Sequence, residues 1–231
     1  MRGIFITGTD TGVGKTIITG FLARYILEKG YSVITQKWIQ TGYSSDIKKH
    51  LELMGIDKRY VEDYLDLVCP YNLKFPASAH LASRMEHKNI REDKITGSFK
   101  ALSRRFAFVL VEGLGGVAVP FNKKRLVIDL ARELRLSVLV VAGNKLGAIN
   151  HTLLTIEYLR MRKIKVLGII FNNTKKEDKR ILEDNPRIVK ELSKEKILGI
   201  LPWVDDVDRA YRCFLPIGNN ILKRMRHEPM A

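Results

Sequence analysis

Short apolar runs recur along the chain at residues 4–6, 33–35, 108–111, 138–141, 166–171 and 197–201. They are nearly continuous rather than alternating, which predicts strands covered on both faces, as in parallel sheets. Between them the apolar residues fall at helical spacing. Ile17, Ile18, Phe21, Leu22, Tyr25 and Ile26 form one such stripe, with Gly30 as its stop signal. The same periodicity predicts helices over 77–85, around 99–106, over 153–161 and over 181–192. Strand and helix signals alternating in this way predict an α/β fold: a doubly wound, mostly parallel sheet flanked by helices. No internal repeat, low-complexity stretch or Pro/Gly/Ser linker interrupts the pattern, so one domain over residues 1–231 is expected.

The turn from the first strand to the first helix carries chemistry. Residues 8–16 read Gly8-Thr9-Asp10-Thr11-Gly12-Val13-Gly14-Lys15-Thr16, which fits G-x-x-x-x-G-K-[ST]. Strand, glycine-rich loop and helix are the context that gives this pattern its meaning. Glycines let the backbone wrap a phosphate with its N–H groups pointing inward. The following helix presents its positive end to the same anion. Lys15 is expected at the β- and γ-phosphates, and the Thr16 hydroxyl on Mg²⁺.

In a doubly wound sheet, ligands sit beyond the carboxyl ends of the strands. Those ends here deliver polar and glycine residues together. The second strand leads into Lys37-Trp38-Ile39-Gln40-Thr41-Gly42 and then Asp46. The 108–111 strand leads into Glu112-Gly113-Leu114-Gly115-Gly116, and the 138–141 strand into Asn144-Lys145-Leu146-Gly147 and Asn150. The 166–171 strand leads into Asn172-Asn173, and the last into Pro202-Trp203-Val204. Mg²⁺ favours one or two carboxylates together with phosphates and waters. Glu112 is one candidate and Asp46 a second, although Ser45-Asp46 also reads as a helix N-cap. Lys37 is placed to stabilise charge on a transferred phosphoryl group or a bound carboxylate; the alternative is a surface lysine. Asn172 carries an amide that offers a base edge both a donor and an acceptor, or else it is an ordinary turn residue. Residues 145–151 turn at Gly147 and start a helix, whose N–H groups suit a carboxylate; Asn150 alternatively caps that helix.

Net charge is +15 over 231 residues. The basic clusters, Lys48-Lys49, Lys123-Lys124-Arg125, Lys175-Lys176 and Lys223-Arg224, are dispersed and lack interleaved aromatics. That argues for a basic surface around an anionic nucleotide and against nucleic-acid binding. No apolar run approaches the ~18 residues of a membrane span. The first strand begins almost at once, so no signal peptide is expected, and Cys69 and Cys213 read as free thiols in a reducing cytoplasm. The five histidines show no metal-ligand spacing.

Taken together, these residues resemble dethiobiotin synthetase, a family of biotin-pathway ligases with the P-loop fold. The resemblance covers nearly the whole chain. Its most specific parts are residues 8–16, Lys37 with Gln40-Thr41-Gly42, Pro70-Tyr71 with Pro76-Ala77-Ser78-Ala79-His80, and Val111-Glu112-Gly113 with Gly115-Gly116. Lys145-Leu146-Gly147-Ala148-Ile149-Asn150-His151 and Pro202-Trp203 complete it. The resemblance implies conversion of 7,8-diaminononanoate, CO2 and ATP to dethiobiotin, ADP and phosphate. A substrate amine captures CO2 as a carbamate, ATP phosphorylates the carbamate, and the second amine closes the ring.

Carried over by position, Lys15 and Lys37 are the catalytic cations, and Thr16, Asp46 and Glu112 serve Mg²⁺. Gly12, Val13, Gly14, Ile17, Gly113, Leu114 and Gly115 surround the nucleotide, with Asn172, Asn173, Pro202, Trp203 and Val204 at its base. Thr11, Thr41, Gly147 and Asn150, with Lys37, contact the substrate. A homodimer with the substrate near the subunit interface is implied. Trp38 stands where the family has proline, which bears on how Lys37 is aimed. Asn173 stands where the family has aspartate, which implies loose selection of the base. The rival reading is a P-loop switch ATPase of the partitioning or metal-insertion type. Such proteins usually carry an additional lysine near the start of the loop, and Gly8 to Thr11 hold none.

Overall fold

The computed structural model describes residues 2–43 and 45–226. In chain order its elements are β1 (Arg2–Gly8), α1 (Lys15–Glu28), β2 (Val33–Lys37), β3 (Ile39–Thr41), α2 (Asp46–Met54), α3 (Leu65–Val68) and β4 (Tyr71–Leu73). There follow α4 (Ala79–Met85), α5 (Glu92–Ser103), β5 (Phe108–Gly116), α6 (Val127–Glu133), β6 (Ser137–Gly143) and α7 (Ala148–Met161). The last are β7 (Val166–Asn172), α8 (Lys179–Ser193), β8 (Ile197–Leu201) and α9 (Val207–Arg226).

The six apolar runs are the six strands of one sheet, in the order β2-β5-β1-β6-β7-β8, with every neighbouring pair parallel. Successive strand residues face opposite layers. Ile4 and Ile6 pack with Phe21, Leu22 and Ile26 of α1 and with Phe214, Ile217 and Ile221 of α9. Phe5 faces the other way, into a layer containing Ile95 and Phe99 of α5, Leu130 of α6 and Ile156 of α7. Burying both faces is what removes the polar alternation from these strands.

Several elements differ from the sequence reading. β5 continues through Gly116, so Glu112-Gly113-Leu114-Gly115-Gly116 belong to the strand itself and not to a loop after it. A Cβ on Gly113 would lie 2.9 Å from the Phe5 ring and 3.1 Å from the Ile6 carbonyl, and its absence lets β5 run on beside β1. The helix expected around 99–106 lies earlier, at Glu92–Ser103. Short β3 and β4 pair in parallel as a separate ribbon; of α2 only the N-cap at Ser45 is legible in the sequence, and α6 and the twenty-residue α9 are not. Both cysteines are free, and burial pushes the Cys69 thiol up to about 11, which keeps it protonated. No helix among the described residues is long and apolar enough to cross a membrane.

Candidate active site

The parallel order places the carboxyl ends of β1, β2, β5, β6 and β7 along one edge. The loop after β1 is held by hydrogen bonds of its own. Asp10 accepts from the Thr11 N–H at 2.7 Å, and the Lys15 ammonium donates to the Asp10 carbonyl at 3.1 Å. Gly14 sits at φ +93, where only glycine is at ease, and a Cβ there would lie 2.1 Å from Asn172 Nδ2. That approach exists because Asn172 Nδ2 donates to the Val13 carbonyl at 2.9 Å, tying the end of β7 to the loop. Burial, then the charge of Lys37, lowers the Lys15 pKa to about 8. An anion held in the loop would favour the charged form again.

Beside the loop lies a buried charge cluster built by strand register. Lys37, the last residue of β2, pairs directly with Glu112 of β5, which also pairs with Ile6 of β1. The Lys37 ammonium has three protons and three acceptors: Glu112 Oε1 at 2.8 Å, the Gly113 carbonyl at 2.9 Å and Asp46 Oδ2 at 2.8 Å. Its side chain is 3% exposed, which rules out the surface-lysine alternative. Glu112 Oε1 also accepts from the Thr16 hydroxyl at 3.1 Å, and Glu112 Oε2 lies 2.7 Å from His50 Nε2. Burial opposes ionisation of Glu112, but Lys37 and His50 outweigh it and hold the carboxyl well below its usual range. For Lys37, burial is likewise outweighed by Glu112 and Asp46, and its pKa is raised. Both groups therefore stay charged at neutral pH.

Asp46 opens α2, with Ser45 as the N-cap accepting from the Lys48 N–H at 3.2 Å. The N-cap reading holds for the serine, and the aspartate carboxylate reaches Lys37. The donor set suits the implied metal. Thr16, Glu112 and Asp46 offer hard oxygens around one lysine, and no group of three or more His, Cys, Asp or Glu side chains forms a protein-only cage among the described residues. Two carboxylates completed by phosphates and waters are what Mg²⁺ takes.

The remaining positions fall around this centre. Thr11 and Gly12 are exposed on the loop, and Ile17 is in the first turn of α1. Gly115 comes near Thr11, since a Cβ on it would lie 3.6 Å from the Thr11 hydroxyl. Thr41 ends β3. Trp38 is 1% exposed, packs against Phe5 and donates from Nε1 to Gln36 Oε1 at 2.8 Å. It is a core residue, and Lys37 is aimed by its own three acceptors.

Asn173, Pro202, Trp203 and Val204 line a cavity of about 500 Å³ beyond β7 and β8. Asn173 Oδ1 accepts from Asn144 Nδ2 at 2.9 Å, and Asn144 is fixed in turn by the Leu182 carbonyl and Asn185. Gly147, at φ +87, is the N-cap of α7, so Asn150 lies exposed in the first turn and does not cap. Leu114 sits in β5 at the edge of the α5–α7 layer. His50 was not picked out from the sequence; its one signal is that it stands four residues after Asp46, on the same face of α2.

Fold and site together define a P-loop nucleotide-binding protein of the doubly wound class. Solved structures of similar fold include the MinC:MinD cell division complex of Aquifex aeolicus, with a TM-score of 0.63, 17% identity and coverage of 100% of this chain and 98% of that one. The cell division ATPase MinD of Pyrococcus furiosus gives a TM-score of 0.63 at 15% identity, covering 96% of this chain and 98% of that one. At such identities the likeness is one of fold.

A family model described as an AAA domain matches residues 2–211. An ATP-dependent dethiobiotin synthetase, BioD 2, of Haemophilus ducreyi is 40% identical over 83% of this chain and 92% of its own length. That of Thermodesulfovibrio yellowstonii is 39% identical over 90% of this chain and 91% of its own length. The chain belongs to the ATP-dependent dethiobiotin synthetase family.

Proposed function

We propose that the protein catalyses the ATP- and Mg²⁺-dependent closure of the dethiobiotin ring from 7,8-diaminononanoate and CO2. The observation that carries this beyond family membership is the buried Lys37, held at the end of β2 beside the phosphate loop by Glu112, Gly113 and Asp46. A carbamate attacking a γ-phosphate gathers negative charge on both partners and needs no side-chain nucleophile. Two cations, Lys15 on the phosphates and Lys37 at the attacking carbamate, meet that need by position and charge. Asp46 is the more exposed of the two carboxylates on Lys37, 19% against 2% for Glu112, so it is the partner an incoming anion displaces. Mg²⁺, held by Thr16, Asp46 and Glu112, would neutralise the phosphate oxygens.

The start of α7 at Gly147, with no acidic residue in its first turn, is assigned to the substrate carboxylate, with Asn150 beside it. Leu154 and Met161, seven residues apart on α7, are 63% and 80% exposed, which supports a homodimer through this helix. A cytoplasmic location agrees with the free thiols.

Product analysis tests the proposal. Protein, Mg·ATP, bicarbonate and diaminononanoate are mixed and the products read by mass spectrometry. Dethiobiotin should appear together with ADP. ATP hydrolysis without it would favour a switch ATPase, which the fold alone also accommodates. Because Asn173 offers the base no carboxylate, selection among nucleotides should be loose. ATP, GTP and CTP competing in the same assay check this, and a preference for ATP beyond about a hundredfold, ~2.7 kcal/mol, contradicts it.

A further inference from the structure

His50 is 0% exposed and has no part in the reaction just described, yet it touches the central carboxylate. It lies one turn after Asp46 on α2, so one helix face brings Asp46 to Lys37 and His50 to Glu112. The two Glu112 oxygens are divided between partners. Oε1 faces the phosphate-loop side, toward Thr16 Oγ1 and Lys37 Nζ; Oε2 faces α2 and His50 Nε2 at 2.7 Å. An ionised carboxylate only accepts, so Nε2 carries the hydrogen. His50 Nδ1 is buried with no hydrogen-bond partner among the described residues, which suits a bare lone pair better than an unpaired N–H. Among the described residues the ring is therefore anchored through Nε2 alone, by Glu112.

We propose that His50 is a positioning residue for the metal site. By holding Glu112 Oε2, it stops the carboxylate from turning and presents Oε1 alone to the side where Thr16 and the nucleotide phosphates meet. Mg²⁺ demands near-ideal octahedral geometry, and outer partners that orient a ligand carboxylate set its affinity. The inference rests on the Mg·ATP reading above and concerns a residue with which that reading does nothing.

The test compares His50→Leu with His50→Gln, whose amide nitrogen can stand near Nε2. Mn²⁺ binding in the presence of ADP is followed by electron paramagnetic resonance, without substrate or turnover. His50→Leu should bind Mn²⁺ about 10–100-fold more weakly. Its affinity for ADP without metal should be unchanged, as should its KM for diaminononanoate. His50→Gln should stay close to the parent protein. Unchanged Mn²⁺ affinity in His50→Leu would make His50 a core filler and overturn the proposal. So would a His50→Gln variant as weak as His50→Leu.

If the leucine variant does not fold, ¹⁵N chemical shifts of His50 in the metal-free parent decide. The Nε2–H tautomer supports the proposal, and the Nδ1–H tautomer overturns it. A parent protein that binds Mn·ADP but makes no dethiobiotin would sink the functional reading and leave this inference standing.

Discussion

Lys37→Ala is expected to lower turnover per folded molecule by about 10²–10³, the usual cost of removing one preorganised charge from a transition state. ATP affinity should change little, because the phosphate loop and Lys15 bind the nucleotide in either case. The geometry makes this separation sharp. Lys37 is held at the end of β2 by Glu112 and Gly113, so only its contact with the more exposed Asp46 has to be exchanged for the reacting anion. Single-turnover rates and ATP titrations on the folded fraction provide the check. Near-parent turnover in the variant would reduce Lys37 to a structural partner of Glu112 and remove the central argument for carbamate chemistry.

Glu112→Ala should destabilise the fold by about 3–5 kcal/mol, because it leaves a buried ammonium with one fewer counter-charge. Asp46 remains on Lys37 but is the more exposed partner. The double variant Lys37→Met/Glu112→Leu, which removes both charges, should regain much of that loss. Denaturant midpoints of the three proteins decide the matter. A double variant no more stable than Glu112→Ala would mean that the pair stabilises the fold as a pair and not by mutual compensation.

The pH dependence follows from the directions of the shifts. Glu112 is depressed from 4.5, so its contribution is present above 4.5 and is lost as pH falls through its lower folded value. Lys37 is raised from 10.5, so its contribution is complete below 10.5 and is lost only at higher pH. Between these limits Glu112 and Lys37 should add no slope to the stability curve, whereas Lys15, lowered from 10.5 to about 8, should make stability rise with pH between those two values.

The sheet was legible because parallel strands covered on both faces leave unbroken apolar runs, and all six did so. α9 was not, because Pro216 and Gly218 break the helical stripe formed by Tyr211, Phe214, Ile217, Ile221, Leu222 and Met225. β3 and β4 are three residues each, too short for any period to register. In the site, the phosphate loop, Lys37 and Glu112 announce themselves by type and by place at strand ends. The register that sets Lys37 against Glu112 does not, since β2 and β5 are separated in sequence by four α-helices and the β3–β4 ribbon. His50 was hidden for the same reason: its partner lies sixty-two residues away. Asn172 was legible as a site residue, but the contact made by its Nδ2 is with the Val13 carbonyl.

The strand order also governs how the chain can fold as it is made. β1 precedes every other described element and is a central strand of the finished sheet, yet its two neighbours are β5 and β6. Neither exists until residues 108–143 have been added. At about 5–20 residues per second, β1 and the phosphate loop wait on the order of ten seconds for their partners. Throughout that interval the apolar edge of β1 is unpaired and open to other chains. Nucleotide therefore cannot rescue an early intermediate, because the loop it would bind has no scaffold until β5 and β6 are available to pair with β1. Refolding yield should depend on chain concentration and on holdase chaperones, and much less on added ATP.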